Sequence, residues 1–209
     1  MEMESLHELY VSELKDLYSA EKQIVKALPK MVKNATNPRL RRAFSDHLDE
    51  TEGHVERLEK IFQMLDAKPG GKKCKGMEGL IDEAKELLEE DPSDEVLDAG
   101  LISKAQHVEH YEMAGYGTVR TYAQQLGFDD QATLLQQTLD EEGKANELLT
   151  QIAETAVNAE AEQADEEMRT SRRSDRQVST PVAHEGTRSR KQPSHRTASR
   201  STSRAPRAR

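Results

Sequence analysis

AQHVEHYEMAGYGT, residues Ala105–Thr118, lies inside a longer pattern whose apolar steps are Leu101, Ala105, Val108, Gly115, Val119, Tyr122 and Leu126. Steps of three and four place these residues on one face of a helix. Glu112 fills the missing step, so a carboxylate stands where the core should be, and Glu109 lies one turn earlier on the same side. A helix that aims two acids inward, beside a glycine and alanines that admit close neighbours, points to bound cations.

The pattern recurs on both sides of this stretch. Residues ~5–34 repeat Tyr10, Leu14, Leu17, Ile24, Leu28 and Met31 at helical spacing, with Glu21 in the gap between Leu17 and Ile24. Pro29 is expected to kink that helix or thin its hydrogen bonding near the end. Thr36-Asn37-Pro38 reads as a cap followed by proline at the first helical position. The second helix, ~38–67, carries Phe44, His47, Thr51, Val55, Leu58 and Phe62 on its inner face, with Glu50 and His54 on the flank. Lys68-Pro69-Gly70-Gly71 stops it, and a shorter amphipathic helix follows at ~77–90. Asp91-Pro92-Ser93 caps a helix over ~94–126, and Gly127-Phe128-Asp129 turns the chain, with Asp129 as the expected cap. The last helix spans ~130–166, with Leu134, Thr138, Ala145, Leu148 and Ile152 inward and Glu141 among them. Two short connections make two antiparallel pairs. The long segment 68–93 between the pairs is the crossover of a ferritin-like four-helix bundle, carrying a short fifth helix.

Charge divides the chain in two. The net charge is −9, but residues 169–209 hold 12 Lys and Arg against only Asp175 and Glu185. That is +10, which leaves −19 for residues 1–168. Beyond Met168 Ser, Thr, Arg and Pro dominate and apolar periodicity disappears, so 1–168 is read as the bundle domain and 169–209 as a disordered basic tail. Such a tail could bind nucleic acid non-specifically through phosphates, or contact the acidic body of its own chain. A single cysteine, Cys74, argues against a disulfide framework, and its flanking lysines are expected to lower its pKa. No basic leader and no apolar run near ~20 residues are present, so a cytoplasmic protein with no membrane association is expected.

The two pairs are related by an internal repeat. HLDETEGHVERL from His47 aligns with TLDEEGKANELL from Thr138 at an offset of 91 residues, matching Glu50 to Glu141. The same offset pairs Glu21 with Glu112. Glu142 competes with Glu141 for the inward position, and the repeat favours Glu141. Packed about a pseudo-twofold axis, the halves would bring Glu21, Glu50, Glu112 and Glu141 together. Several carboxylates in a low-dielectric interior must take up protons or share a counter-charge. Bridging carboxylates with a few histidines suit iron or manganese. Ferritin-like di-metal proteins use one Glu from each of two helices and Glu-x-x-His from the other two. Here Gly53 and Lys144 stand at the histidine positions, so His47 and His54 are the substitutes on helix two, and Lys144 could bring a positive charge to the site.

LYVSELKDLYSAEKQIVKALPKM, HLDETEGHVERLEKIF, KKCKGMEGLI and VEHYEMAGYGTVR, in this order, resemble the YciE/YciF family of bacterial ferritin-like proteins. The resemblance covers roughly residues 6–165. It implies a ferritin-like bundle, a homodimer and a link to bacterial stress responses. Glu109 and Glu112 are similar to the Glu-x-x-Glu of rubrerythrin. Two functions follow as expectations. One is a di-iron (or iron–manganese) carboxylate oxidoreductase, ferroxidase- or peroxidase-like, with Glu21, Glu50, Glu109, Glu112, Glu141, His47 and His54 as metal residues. The other is a non-enzymatic dimeric interaction protein whose basic tail binds nucleic acid or its own acidic surface.

Overall fold

The computed structural model describes residues 3–178, with side chains to 173. Six helices follow in order: α1 (Leu6–Asn34), α2 (Pro38–Met64), α3 (Lys75–Glu89), α4 (Asp94–Gln125), α5 (Asp129–Ile152) and α6 (Asn158–Val178), with a π-helical turn, Ala153–Val157, between the last two. The first compact unit is Met1–Ser171. Within it α1 pairs with α2 and α4 with α5, α1 packs on α4 and α2 on α5, and α3 lies against α4 and α1. This is the expected bundle with its crossover helix.

Local chemistry sets the helix ends. Ser5 caps α1 by accepting from Glu8 N, and Asn37 caps α2 by accepting from Arg39 N and Leu40 N, with Pro38 in the first turn. Pro29 sits inside α1 without ending it. The α1–α2 corner is anchored from a distance. Asp98 of α4, only 2% exposed, accepts from Thr36 N, Thr36 Oγ1 and Asn37 N at 2.8, 2.6 and 2.6 Å. Gly127 ends α4 at φ +77°, a left-handed conformation that favours glycine. Phe128 rather than Asp129 occupies the cap position of α5, and its side chain makes no capping bond.

Two further expectations need correction. Helical backbone continues past Met168 to Val178, so the first ten residues of the expected disordered segment are helical; 179–209 lie outside the described residues. Cys74 is buried, and burial pushes its thiol up, with Asp16 adding to the effect. The neighbouring lysines do not reverse this, and Cys74 serves as the N-cap of α3, accepting from Met77 N.

The core is layered. One apolar cluster includes Ile24, Leu28, Leu40, Phe44, Leu101 and Ile152. The other includes Leu14, Leu17, Leu58, Phe62, Val119 and Leu135. On every helix of the bundle the residues between these clusters are polar and buried: Glu21 on α1, His47, Thr51 and His54 on α2, Glu109 and Glu112 on α4, Thr138 and Glu142 on α5. Apolar packing on both sides pays for this polar middle layer, which by itself opposes folding.

Candidate metal centre

The polar layer converges on two adjoining groups. In one, a ligand atom from each of His47, Glu109, Glu112 and Glu142 lies within 4.8 Å of every other. In the second, Glu21, His54 and Glu142 meet by the same measure. Glu142 belongs to both. All six residues are at most 7% exposed, and Glu21, His54, Glu112 and Glu142 are fully enclosed.

Close approach here is not ordinary hydrogen bonding. His54 Nδ1 lies 2.9 Å from Glu142 Oε1 and 3.5 Å from Glu21 Oε1, and His47 Nε2 lies 3.4 Å from Glu109 Oε1 and 3.9 Å from Glu142 Oε2. None of these contacts has hydrogen-bond geometry. Nine buried atoms of the six residues are left without a hydrogen-bond partner among the described residues, including both oxygens of Glu112 and of Glu142. Buried polar atoms are nearly always satisfied. His47 Nδ1 faces Glu50 on the outer side; the other eight, gathered in one place, are what a set of ligands looks like.

The charges sort accordingly. Burial raises Glu109 and Glu112 well above the usual carboxylate range, and neighbouring acids add to it. Burial also acts against charge on His54 and on Glu142, but their mutual contact outweighs it. It lowers Glu142 and, with Glu21, pushes His54 up to about 10. Tyr116 is buried, and its pKa is raised by burial and by Glu21 and Glu112. Its hydroxyl keeps its proton and donates it to Glu21.

Of the expected metal residues, the fold brings together Glu21, Glu109, Glu112, His47 and His54. Glu50 and Glu141 stand outside the cluster. Glu50 is exposed, with its side chain 3.6 Å from His47 Nδ1. Glu141 is partly exposed and accepts from Arg57 through both oxygens, Nη2 at 2.8 Å, and lies 3.0 Å from His54 Nε2. Each acid therefore sits behind a histidine, on the ring nitrogen that faces away from the cluster. Glu141, within hydrogen-bond distance, fixes the orientation of the His54 ring and leaves its inner nitrogen to the site; Glu50 makes no such bond to His47. The offset of 91 residues holds, but on α2 and α5 the inward-facing pair is one residue later than expected. Thr51 and Glu142 are also 91 residues apart, and both face inward.

Glu142 is the residue that sequence reasoning placed second. Its signal was there: Leu135 and Leu149 lie seven residues to either side, and both are buried. The expected face through Leu134 and Leu148 is a neighbouring stripe, and Leu148 is 41% exposed. Lys144 is outside the cluster too, beside an opening between α2 and α5 lined by Asp46, His47, Glu50 and Glu109.

Four carboxylates and two imidazoles, with their free atoms buried and convergent, are a donor set suited to first-row divalent ions such as iron or manganese. The residues present fit that group.

A family model described as "Domain of unknown function (DUF892)" matches residues 5–162. Protein YciF of Escherichia coli (strain K12) is 44% identical over 163 residues, covering 78% of this chain and 98% of that protein. The crystal structure of the E. coli stress protein YciF superposes with a TM-score of 0.72 at 44% identity, covering 75% of this chain and 99% of that one. YcfI of Rhodopseudomonas palustris gives 0.70 at 44% identity, covering 71% and 95%. A protein from Xanthomonas campestris pv. campestris, at 22% identity and a TM-score of 0.63, covering 77% and 99%, shares the fold.

Proposed function

Since the chain belongs to the YciE/YciF (DUF892) family and encloses an unsatisfied carboxylate–histidine cluster, we propose that it binds two divalent ions, iron or manganese, and reacts with peroxide or oxygen during stress. Among its helices no described one is long and apolar enough to cross a membrane. The single observation that carries the reading is the set of eight buried, inward ligand atoms with no partner among the described residues.

His47, Glu109, Glu112 and Glu142 would hold one ion; Glu21, His54 and Glu142 would hold the other. Bound iron would supply the electrons for reduction of peroxide or oxygen. The chain's own residues do the rest. Glu141, clamped by Arg57, takes the outer nitrogen of His54 and leaves Nδ1 to the site. Glu50 lies on the outer side of His47, 3.6 Å from Nδ1 and short of a hydrogen bond. Tyr116 holds a proton at its hydroxyl on Glu21. The two apolar clusters keep bulk water from both sides of the layer.

A second reading rests on the same charges. With Glu109 and Glu112 protonated and His54 paired to Glu142, the layer can balance itself without metal, as a non-enzymatic homodimeric bundle would need. Elemental analysis of protein purified without chelators, followed by anaerobic Fe(II) titration, separates the two. The metal reading expects two ions per chain. No uptake at saturating Fe(II) and Mn(II) refutes it.

A further inference from the structure

A groove of about 130 Å³ opens between α1, α3 and α4 and runs inward to Phe44, His47 and Glu109. Its walls are almost wholly apolar, formed by residues such as Ile24, Met31, Leu80, Leu88 and Val108. Four lysines surround it: Lys26, Lys30, Lys85 and Lys104. Lys85 pairs with Asp82 at 2.7 Å and Lys104 with Glu83 at 2.9 Å. Lys26 and Lys30, both exposed on α1, have no acidic partner among the described residues. Four lysines around one apolar cleft make its rim locally basic in a bundle domain of net charge −19, and two of their ammonium groups are open to a ligand.

We infer that this groove is a binding site for a small amphipathic anion. It takes an apolar body of about six carbons, bearing one carboxylate that meets Lys26 and Lys30, while the apolar chain lies against Ile24, Met31, Leu80, Leu88 and Val108. The size follows from volume, since an apolar protein cavity of ~150 Å³ accommodates benzene. The sign follows from the rim, where a carboxylate gains two ammonium partners that a neutral molecule forgoes. Apolar walls favour an apolar body and disfavour a hydrated inorganic ion. The chain's own C-terminal segment is a poor occupant, because its arginines repel the lysine rim. A second copy would need to cover about 800 Å² of each partner, far more than this narrow cleft offers.

The inference does not depend on metal, and its test uses full-length protein stripped of metal. Calorimetric titration with hexanoate is expected to show saturable binding at one site per chain, with 1-hexanol at least tenfold weaker. The double substitution Lys26→Glu/Lys30→Glu, at exposed positions, is expected to weaken hexanoate at least tenfold while the thermal melt stays unchanged. Ala84→Phe, which fills the groove, is expected to abolish binding; if it fails to fold, the charge reversal still decides. Absence of saturable binding overturns the inference, as does equal affinity for hexanoate and hexanol with no response to charge reversal. So does a dimer in sedimentation that Leu88→Arg dissociates, since the groove would then be an interface. Failure here leaves Fe(II) uptake untouched, and failure of Fe(II) uptake leaves this titration unaffected.

Discussion

Replacing Glu112 by leucine makes the metal-free protein more stable and the metal-supplemented protein less so. Glu112 is fully enclosed, and neither oxygen has a hydrogen-bond partner among the described residues. Its pKa is raised by burial and by Glu21, Glu142 and Glu109, so in the metal-free state it is a protonated group with its polarity unmet. Leaving such a group buried costs about 1–3 kcal/mol, and an apolar side chain of similar size removes that cost. At about 2–4 °C per kcal/mol for a chain of this size, Glu112→Leu raises the metal-free midpoint by roughly 2–12 °C. Metal reverses the order. At a free concentration of about 100 times Kd, a bound ion stabilises wild type by about 2.7 kcal/mol. The variant lacks a ligand and loses most of that gain. The assay is thermal denaturation of both proteins with chelator and with excess Mn(II), which avoids iron oxidation. A variant that melts lower than wild type in chelator, combined with a wild type indifferent to Mn(II), refutes the reasoning, because Glu112 would then be a satisfied structural acid.

Glu141→Gln removes the charge behind His54 and is expected to weaken metal binding by about 10–100-fold, measured by competition with a chromophoric chelator, while wild-type affinity in the variant contradicts the orienting role. Glu109, Glu112 and His54 all have folded pKa values above their unfolded ones. Their contribution to metal-free stability is complete below the unfolded values and is lost as pH rises through the folded ones. For His54 the window is from 6.5 to about 10, so urea midpoints are expected to fall across it in chelator and to fall less in the His54→Gln variant. Asp98→Ala leaves Thr36 N and Asn37 N without their acceptor and is expected to cost about 2–4 kcal/mol in chemical denaturation with metal stoichiometry unchanged. The basic segment is expected to shift DNA at low salt, and truncation after Val178, which removes most of it, to abolish the shift; no shift by the full chain contradicts this.

Helix order was legible because each long segment carries its own stop chemistry. Asn37-Pro38, Pro69-Gly70-Gly71 and Gly127 leave little room for any other division. The site was legible in kind because Glu21 and Glu112 replace apolar residues in otherwise regular stripes. Register on α2 and α5 was the harder matter. Neighbouring positions on a helix differ by 100°, and α5 offers two parallel leucine stripes, Leu134/Leu148 and Leu135/Leu149, with an acid centred on each. Packing against α2 and α4 decides between them, and that is tertiary information. The offset of 91 residues was sound, but the acid it marks on α5 backs a histidine. On α2 the inward position is held by Thr51, with His47 and His54 four residues before it and three after. Ligands are thus shared unevenly, two histidines from α2 and one acid from α5, an asymmetry that a repeat-based reading smooths away. Past Met168 composition favoured disorder, yet Arg169, Arg172 and Arg173 still have adequate helix propensity, and Arg169 pairs with Asp165 one turn back at 2.9 Å.

Anomalous diffraction at the iron edge from crystals soaked anaerobically with Fe(II) tests the central claim most directly. Two peaks per chain are expected, one among His47, Glu109, Glu112 and Glu142 and one among Glu21, His54 and Glu142. A polar layer free of anomalous signal, or iron held only by exposed acids such as Glu50, contradicts it.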